Sequence, residues 1–283
     1  MTDSNVPVFP DGSTSGDLMY WNSTDKKWAN LAPGTEGQVL RISSGLPVWG
    51  AGPVSFTCGT NIVSDVDNNT YETVLIGNQC WTKENLKVTR YNDGTPIPLD
   101  ATGGFEGISS TWQNLTTGAR TIYGNEPNRW DPSASSIFGY LYNWYAARGI
   151  ITNEGISTKN ICPTGWHVPT ENEWITLVTQ FGGYLDATNQ AGVKMKSTSN
   201  LWISPNNADN SSNFTGLPGG FREITGEFKY ITRDAYFWSS SEMNHNVAYH
   251  RQLSSSSQYL ENWILSGFPP PKKSGMSIRC LRD

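Results

Sequence analysis

Short runs of alternating apolar and polar residues dominate the chain, and turns rich in glycine, proline and asparagine separate them. Asp67-Asn68-Asn69 tolerates turn conformations, and the alternation on both sides of it predicts a β-hairpin. A strand is expected over Lys87–Tyr91, followed by a turn at Asn92-Asp93-Gly94. From Asn200 onward the pattern again indicates short strands and glycine-rich turns.

Two segments have helical patterns. After Ser135-Ser136, large apolar residues recur at helical spacing over Ile137–Ala147. Thr170 and Glu173 have the spacing of a capping box, which predicts a helix that ends at Gly182-Gly183. Two helices, an irregular region and several strands indicate the α+β class.

The chain is predicted to consist of a stalk, residues 1–52, and a head, residues 53–283. The stalk has short strand-like runs but too few apolar side chains to close a core within one copy. It resembles the repeats of tail fibres and trimeric surface adhesins. We therefore expect a homotrimer in which three chains share an apolar axis formed by Trp21, Trp28, Leu40 and Trp49. A flexible leader is the alternative.

Composition favours an extracellular or virion protein over a cytosolic enzyme. Charged residues make up only 16% of the chain, whereas aromatic residues reach 12%. The net charge of −5, with Lys26-Lys27 and Lys272-Lys273 as the longest basic clusters, argues against nucleic-acid binding. No apolar stretch is long enough to span a bilayer, so membrane insertion is not expected. Met1–Asn5 lacks the pattern of a secretory signal, which favours another route out of the cell, such as assembly into a phage particle.

The four cysteines favour two disulfides. None of them lies in a Cys-x-x-Cys pair, and the chain has only three histidines, so a zinc site is not expected. Four cysteines permit three pairings, and sequence order favours Cys58–Cys80 and Cys162–Cys280. Four buried free thiols are the alternative.

Several ordered motifs of the head are similar to those of one known family. They include Ile76-Gly77-Asn78-Gln79-Cys80-Trp81, Cys162-Pro163-Thr164-Gly165-Trp166-His167, Tyr140–Ala147, Leu217–Arg222, Phe237–Glu242 and Ser277-Ile278-Arg279-Cys280. In these motifs the chain resembles the Fibrobacter succinogenes major paralogous domain over roughly residues 55–283. The stalk lies outside the resemblance.

The resemblance implies a C-type lectin-like fold, in which two helices and irregular antiparallel sheets form a frame and the segment before the last strand is exposed. Family members also serve as variable proteins of diversity-generating retroelements. Here Trp238–Glu242 and Gly275–Cys280 are family-like and enclose an atypical stretch that we expect to be diversified and to bind the ligand. Its candidate ligand-binding residues are Met243, Asn244, His245, Asn246, His250, Gln252, Ser254, Tyr259, Glu261, Trp263, Leu265 and Phe268.

This stretch has the composition of a recognition loop, with aromatic rings for contact area and polar groups for hydrogen bonds. The expected apolar anchors are Tyr259, Trp263 and Phe268. Polar selectivity is assigned to His245, His250, Gln252 and Glu261. Packing roles are assigned to Trp166, Trp238 and Arg251.

Catalysis and calcium-dependent sugar binding are the weaker interpretations. Formylglycine-generating enzymes, which the resemblance relates to this fold, use a reactive cysteine pair, whereas Cys162 and Cys280 occupy structural positions of the family. His167 is assigned a buried hydrogen-bonding role, and Gly216–Phe221 a tight turn in the core, because it lacks the ending of a phosphate loop. Glu126-Pro127-Asn128 matches the sugar-selecting tripeptide of calcium-dependent lectins. Here, however, the tripeptide precedes the predicted Tyr140–Ala147 helix, whereas in those lectins the tripeptide follows both helices. We therefore expect no enzymatic activity, cofactor or metal.

The sequence thus predicts a non-enzymatic binding protein. The favoured interpretation is the receptor-binding tip of a phage tail fibre, which binds a protein or polysaccharide on the host-cell surface and gains avidity from three heads. A bacterial cell-surface adhesin or a glycan-binding lectin is the alternative, and a structural cell-envelope protein is the opposing class. The expected location is the virion, or the outside of the cell.

Overall fold

The chain forms two compact units, Met1–Phe56 and Thr57–Asp283, and the names stalk and head denote these units from here on. Their coordinates come from a computed structural model of the full chain. The structure describes residues 11–12, 14–52, 56–102, 109–124, 133–149, 159–183, 188–262 and 269–283.

Two antiparallel hairpins make up the described part of the stalk. β1 (Leu18–Asn22) pairs with β2 (Lys27–Leu31), and β3 (Gln38–Ser43) pairs with β4 (Leu46–Ala51). None of the described stalk residues is buried. Strands β1 and β3 instead have large apolar side chains that are exposed, namely Leu18, Met19, Trp21, Val39, Leu40 and Ile42.

The head combines short helices with small, mostly antiparallel sheets. Its strands are β5 (Val63–Ser64), β6 (Thr70–Tyr71), β7 (Thr73–Ile76), β8 (Gln79–Thr82), β9 (Arg120–Thr121), β10 (Leu141–Tyr142), β11 (Trp166–His167), β12 (Gly219–Arg222), β13 (Phe228–Ile231), β14 (Asp234–Glu242), β15 (Ala248–Ser254), β16 (Leu260–Glu261) and β17 (Leu281–Arg282). Its helices are α1 (Ser110–Gln113), α2 (Ser133–Phe138), α3 (Trp144–Arg148), α4 (Glu171–Thr179) and α5 (Ala191–Met195). None of the helices in the described part of the chain has the length and apolarity that a bilayer crossing requires.

Two sheets organise the head. A four-stranded sheet in the order β11-β17-β8-β7 places the last strand beside an early one. A five-stranded sheet in the order β13-β12-β14-β15-β16 contains β14 and β15, the two longest strands. The predicted hairpin is present as β5 and β6, which flank the turn that contains Asn68 at a φ of 64°.

Aromatic rings from separate segments form the centre of the core. Trp81 of β8 lies 4.7 Å from Trp174 of α4, and Phe214 lies 5.8 Å from Phe237 of β14, measured between ring centroids. All four side chains are fully buried. Trp166 and Trp238, assigned to the core from the sequence, are buried as well.

Both disulfides have the pairing that sequence order favours. Cys58 bonds to Cys80 across 22 residues, and Cys162 bonds to Cys280 across 118 residues. The second bond connects the segment before β11 to the segment before β17, and so closes the four-stranded sheet covalently. Disulfides persist in oxidising compartments, so these two are compatible with an extracellular protein.

Three arginines are fully buried in the described part of the head: Arg222, Arg251 and Arg279. The Arg279 guanidinium lies 4.5 Å from the Phe214 ring centroid and donates four hydrogen bonds of 2.7–3.0 Å. Its acceptors are the side chain of Asn85 and the main-chain oxygens of Thr82, Phe214 and Thr215. Because one planar group joins three chain segments, it fixes their relative positions.

The single helix predicted over Ile137–Ala147 is wrong. α2 ends at Phe138, Gly139 follows at a φ of 76°, and β10 separates α2 from α3. A Cβ at Gly139 would lie 2.6 Å from the main-chain oxygen of Leu86, so the chain passes too close there for a helix to continue. Asn143 then caps α3, because its side chain accepts from the Ala146 N–H at 3.0 Å.

Three further local predictions have different outcomes. The capping box is confirmed, since Thr170 and Glu173 bond reciprocally at the start of α4, although α4 ends at Thr179. Lys87–Tyr91 is not a strand, because its amides bond elsewhere: that of Lys87, for example, donates to the Tyr71 hydroxyl at 2.9 Å. Gly216–Phe221 was predicted to be a tight turn in the core. Its three glycines are buried, but its second half belongs to strand β12.

Candidate binding surface

An exposed turn joins β14 and β15, the two longest strands of the head. Met243, Asn244, His245 and Asn246 are all exposed, which their predicted role in ligand binding requires. The Asn244 side chain accepts from the main-chain N–H groups of Asn246 at 2.9 Å and of Val247 at 3.3 Å. These bonds from the Asn244 side chain hold the main chain of the turn in its conformation.

Lys272 holds this turn from a buried position. Its ammonium donates to Glu242 Oε2 at 2.8 Å and to the main-chain oxygen of His245 at 2.9 Å, and it lies 4.6 Å from the ring centroid of Trp144. Arg148 donates to the same Glu242 oxygen at 2.7 Å. Hydrogen bonding from Lys272, together with the positive charge of both cations, lowers the pKa of Glu242, so this carboxylate is ionised at neutral pH.

A cleft of about 760 Å³ opens beside the turn. We call it the cationic cleft, because Arg148, Lys272 and Lys273 line it and Glu242 is the one carboxylate among its described lining residues. His245 and Asn246 contribute the side of the turn, and Trp144 and Tyr145 the side of α3. The exposed turn is therefore one wall of a concave site rather than an isolated protrusion.

A second cleft, of about 480 Å³, adjoins the first, since Ile224 and Pro271 line both. We call it the aromatic cleft after its lining rings, Phe221, Tyr230, Tyr236 and His250. Phe221 lies 4.7 Å from Tyr236 and 5.9 Å from Tyr230, measured between ring centroids. Burial raises the pKa of Tyr236 far above its ordinary value, so its hydroxyl stays protonated.

The expectation that His250, Gln252 and Ser254 are exposed polar contacts is wrong. All three lie in β15, between β14 and β16, and are 2%, 3% and 7% exposed. His250 reaches only the wall of the aromatic cleft, where its ring stacks on Tyr236 at 6.1 Å. Burial, together with the positive charge of Arg251, lowers the pKa of His250 to about 3, so the imidazole is neutral.

Arg251, the neighbour of His250, has the packing role assigned to it. Its guanidinium is fully buried and bonds both carboxylate oxygens of Glu171, at 2.7 and 2.8 Å. This bidentate pair connects the middle of β15 to the first residue of α4. A strand that looks polar in sequence is therefore an inner strand of the head.

The loop after β15 is fixed by the buried ammonium of Lys196. It donates to the Asn207 side chain and to main-chain oxygens of Ser254, Ser255 and Ser257, at 2.7–3.2 Å. Burial lowers the pKa of Lys196 to about 8, although the charge of Glu261 opposes this effect. Beyond the loop, Tyr259 is 41% exposed and Glu261 is half-buried.

Three of the expected contact residues, Trp263, Leu265 and Phe268, lie outside the described residues. The same holds for the Glu126-Pro127-Asn128 tripeptide that the calcium-lectin interpretation requires. No cluster of three or more metal-ligating side chains occurs in the described ranges.

His167 has a hydrogen-bonding role, at a half-buried position. Its Nε2 lies 2.9 Å from Glu173 Oε1, and its Nδ1 lies 2.5 Å from Asp283 Oδ1. The hydrogen bond with Glu173, helped by Asp283 and opposed by burial, raises the pKa of His167. Burial alone would raise the pKa of Glu173, but hydrogen bonds from His167 and Thr170 outweigh it and lower that pKa to about 2. The cluster joins β11, α4 and the chain terminus.

Sequence reasoning missed the residues that form the rest of the clefts. Trp144 and Arg148 precede Lys273 by more than 120 residues, and only the fold brings these two segments to one wall. Two signals were nevertheless present, since most of α3 lies in the family-like Tyr140–Ala147 motif and Lys272-Lys273 is one of the two longest basic clusters.

The fold and the site define a class of protein: a disulfide-crosslinked mixed α/β domain that carries an exposed turn and two adjoining clefts. The chain belongs to the Fibrobacter succinogenes major domain family, whose model matches residues 74–282. The match covers most of the head and leaves the stalk outside. No match is found among curated proteins or among solved structures.

Proposed function

We propose that the chain is a non-enzymatic receptor-binding protein whose head attaches to a ligand on a cell surface. The observation that carries this proposal is the exposed Met243–Asn246 turn, which buried Lys272 holds at the edge of an open cleft. A surface whose main chain is already fixed loses little conformational entropy when it binds. All four cysteines are in disulfides, so none is available as the thiol nucleophile of a formylglycine-generating type of enzyme.

The main-chain hydrogen bonds of the stretch between Glu242 and Gly275 support the proposal that this stretch is diversified. Lys272 and Lys196 bind main-chain oxygens of the turn and of the loop after β15. Main-chain contacts do not depend on the identity of the side chain. Exposed side chains such as His245 can therefore change while the same cations keep the backbone in place.

We further propose that the stalk joins three chains at the tip of a phage tail fibre, so that the protein is located on the virion. A two-stranded hairpin is marginally stable alone, and the exposed apolar side chains of β1 and β3 would be removed from water in a shared axis. Three heads then act together on one surface, which converts weak single-site binding into avidity. Sedimentation of the full chain tests the stalk: a trimer is expected, and a monomer at all concentrations would contradict it.

A C-type lectin-like architecture is proposed for the head on the basis of the family resemblance. Its support is the closure of the chain, since β17 lies between β8 and β11 and a disulfide crosslinks the same region. In such a frame the segment before the last strand, β17, can vary in sequence and contact a ligand without disturbing the sheet.

Binding to whole cells tests the proposed function. Fluorescently labelled full chain is incubated with a panel of bacterial strains and with mutants that lack capsule, lipopolysaccharide side chains or single outer-membrane proteins. We expect saturable binding to some strains that unlabelled chain competes away and that one class of surface mutant loses. Equal binding to every strain and mutant, or hydrolysis of a surface component on contact, would contradict a specific, non-enzymatic receptor-binding role.

A further inference from the structure

The wall of the cationic cleft differs in charge from the rest of the molecule. Among the described residues, three cations and one carboxylate line it, whereas the chain as a whole has a net charge of −5. A cleft with an excess of one sign of charge attracts ligands of the opposite sign. The cationic cleft therefore favours an anionic ligand.

The cations of this cleft have different roles. Lys272 is 5% exposed and its ammonium already holds Glu242 and the turn. The Arg148 side chain is 36% exposed and donates to Glu242, and Lys273 is half-buried and donates to the main-chain oxygen of Gln113 at 2.6 Å. Each of these two groups has further N–H donors, so both can also approach a bound anion, and the planar guanidinium of Arg148 suits the geometry of a carboxylate.

The aromatic cleft offers flat walls beside this charge. Tyr230 contributes a 41% exposed ring and has a φ of 63°, a conformation that is costly for a bulky residue. Strained residues of this kind cluster at ligand-binding positions. Glu223 also lines this cleft, and Lys229 lies 3.5 Å from its carboxylate and offsets its charge. The flat, largely apolar remainder of the wall fits the faces of ring-shaped ligands.

We propose that the two clefts form one site for an acidic polysaccharide, with a sugar ring against Tyr230 and Phe221 and a carboxylate at Arg148 and Lys273. The clefts adjoin at Ile224 and Pro271, so consecutive parts of one ligand reach both. A polymer of carboxylated sugars repeats the required combination of ring and negative charge. This inference rests on the proposed function, because it specifies the chemistry of the receptor.

The test uses the full chain and carboxylated polysaccharides as probes: polygalacturonate, alginate, hyaluronate and polysialic acid. Each is compared by calorimetry with its methyl-esterified form, which keeps the rings and removes the charge. We expect at least one acidic polymer to bind about tenfold tighter than its ester and to weaken as salt is raised. Failure of all four to bind, or equal binding of acid and ester, overturns the proposal.

Variants locate the site on the protein. Arg148→Gln and Lys273→Gln are each expected to weaken binding of that polymer about fivefold or more, with unchanged thermal unfolding. Lys83→Gln is the matched control, because Lys83 is a cation of the head outside both clefts and should leave binding unchanged. Equal loss in all three variants would overturn the assignment to the clefts. Cell binding that persists while no acidic polymer binds would overturn this inference and leave receptor binding in place.

Discussion

The disulfide between Cys162 and Cys280 is expected to stabilise the head more than the one between Cys58 and Cys80. The two bonds close loops of 118 and 22 residues. A disulfide removes loop-closure entropy from the unfolded chain, and in the chain-entropy treatment this effect grows with the logarithm of loop length. The relation gives about 4.9 kcal/mol for the long loop and about 3.4 kcal/mol for the short one, a difference of about 1.5 kcal/mol.

Guanidinium denaturation of C162A/C280A and C58A/C80A, each in the full chain, measures these two contributions. Alanine is preferable to serine, because Cys162 and Cys280 are 1% and 0% exposed and a buried hydroxyl would add a cost of its own. We expect the free energy of unfolding to fall by about 5 kcal/mol in the first variant and about 3 kcal/mol in the second. An equal loss, or a larger loss from the short loop, would refute the reasoning from loop length.

Three further substitutions test single features of the frame, and each is measured by the unfolding of the full chain. Arg279→Met leaves three buried acceptors and one partly buried acceptor without their donor and is expected to cost about 4 kcal/mol, whereas a loss below about 1 kcal/mol would contradict its crosslinking role. Gly139→Ala is expected to cost about 2 kcal/mol or more through its positive φ and the nearby Leu86 oxygen, and Gly94→Ala, which has a positive φ in open space, should cost clearly less. His167→Gln should remove a stability maximum between about pH 4.5 and 6.5. The Glu173 carboxylate contributes above its unfolded pKa of 4.5 and loses this contribution as pH falls towards 2, while His167 contributes below 6.5 and loses its contribution as pH rises through its raised folded pKa; an unchanged pH profile would contradict this coupling.

Features with strong local chemistry could be predicted from the sequence. The Thr170–Glu173 capping box depends on two residues three positions apart, and the structure confirms it. The order of the cysteines favoured the pairing that the structure has. Trp166 and Trp238 are in the core because large rings gain most from burial.

Features that depend on distant partners could not be predicted in the same way. His250 and Gln252 of β15 were expected to contact the ligand, but the flanking strands cover both side chains. Helical spacing over Ile137–Ala147 was overridden by the close approach of Leu86 to Gly139. In both cases a contact far away in sequence decides the outcome, and the pattern of one segment does not contain it.

The residues that line the two clefts are also brought together from distant parts of the sequence. The cations of the cationic cleft come from α3 and from the segment before β17, and the rings of the aromatic cleft come from β12, β13, β14 and β15. The sequence identified one edge of the site, the turn from Met243 to Asn246, because that edge is continuous in the chain.

Affinity for whole cells measures most directly whether the exposed turn is the binding surface. The dissociation constant of the full chain for a strain that it binds is compared between the original sequence, H245A/N246A and the control N200A, which changes an exposed residue outside the stretch between Glu242 and Gly275 and outside both clefts. Loss of affinity of about tenfold or more in H245A/N246A, with N200A unchanged and all three unfolding at the same temperature, is the expected result. Unchanged affinity in a folded H245A/N246A chain would contradict it.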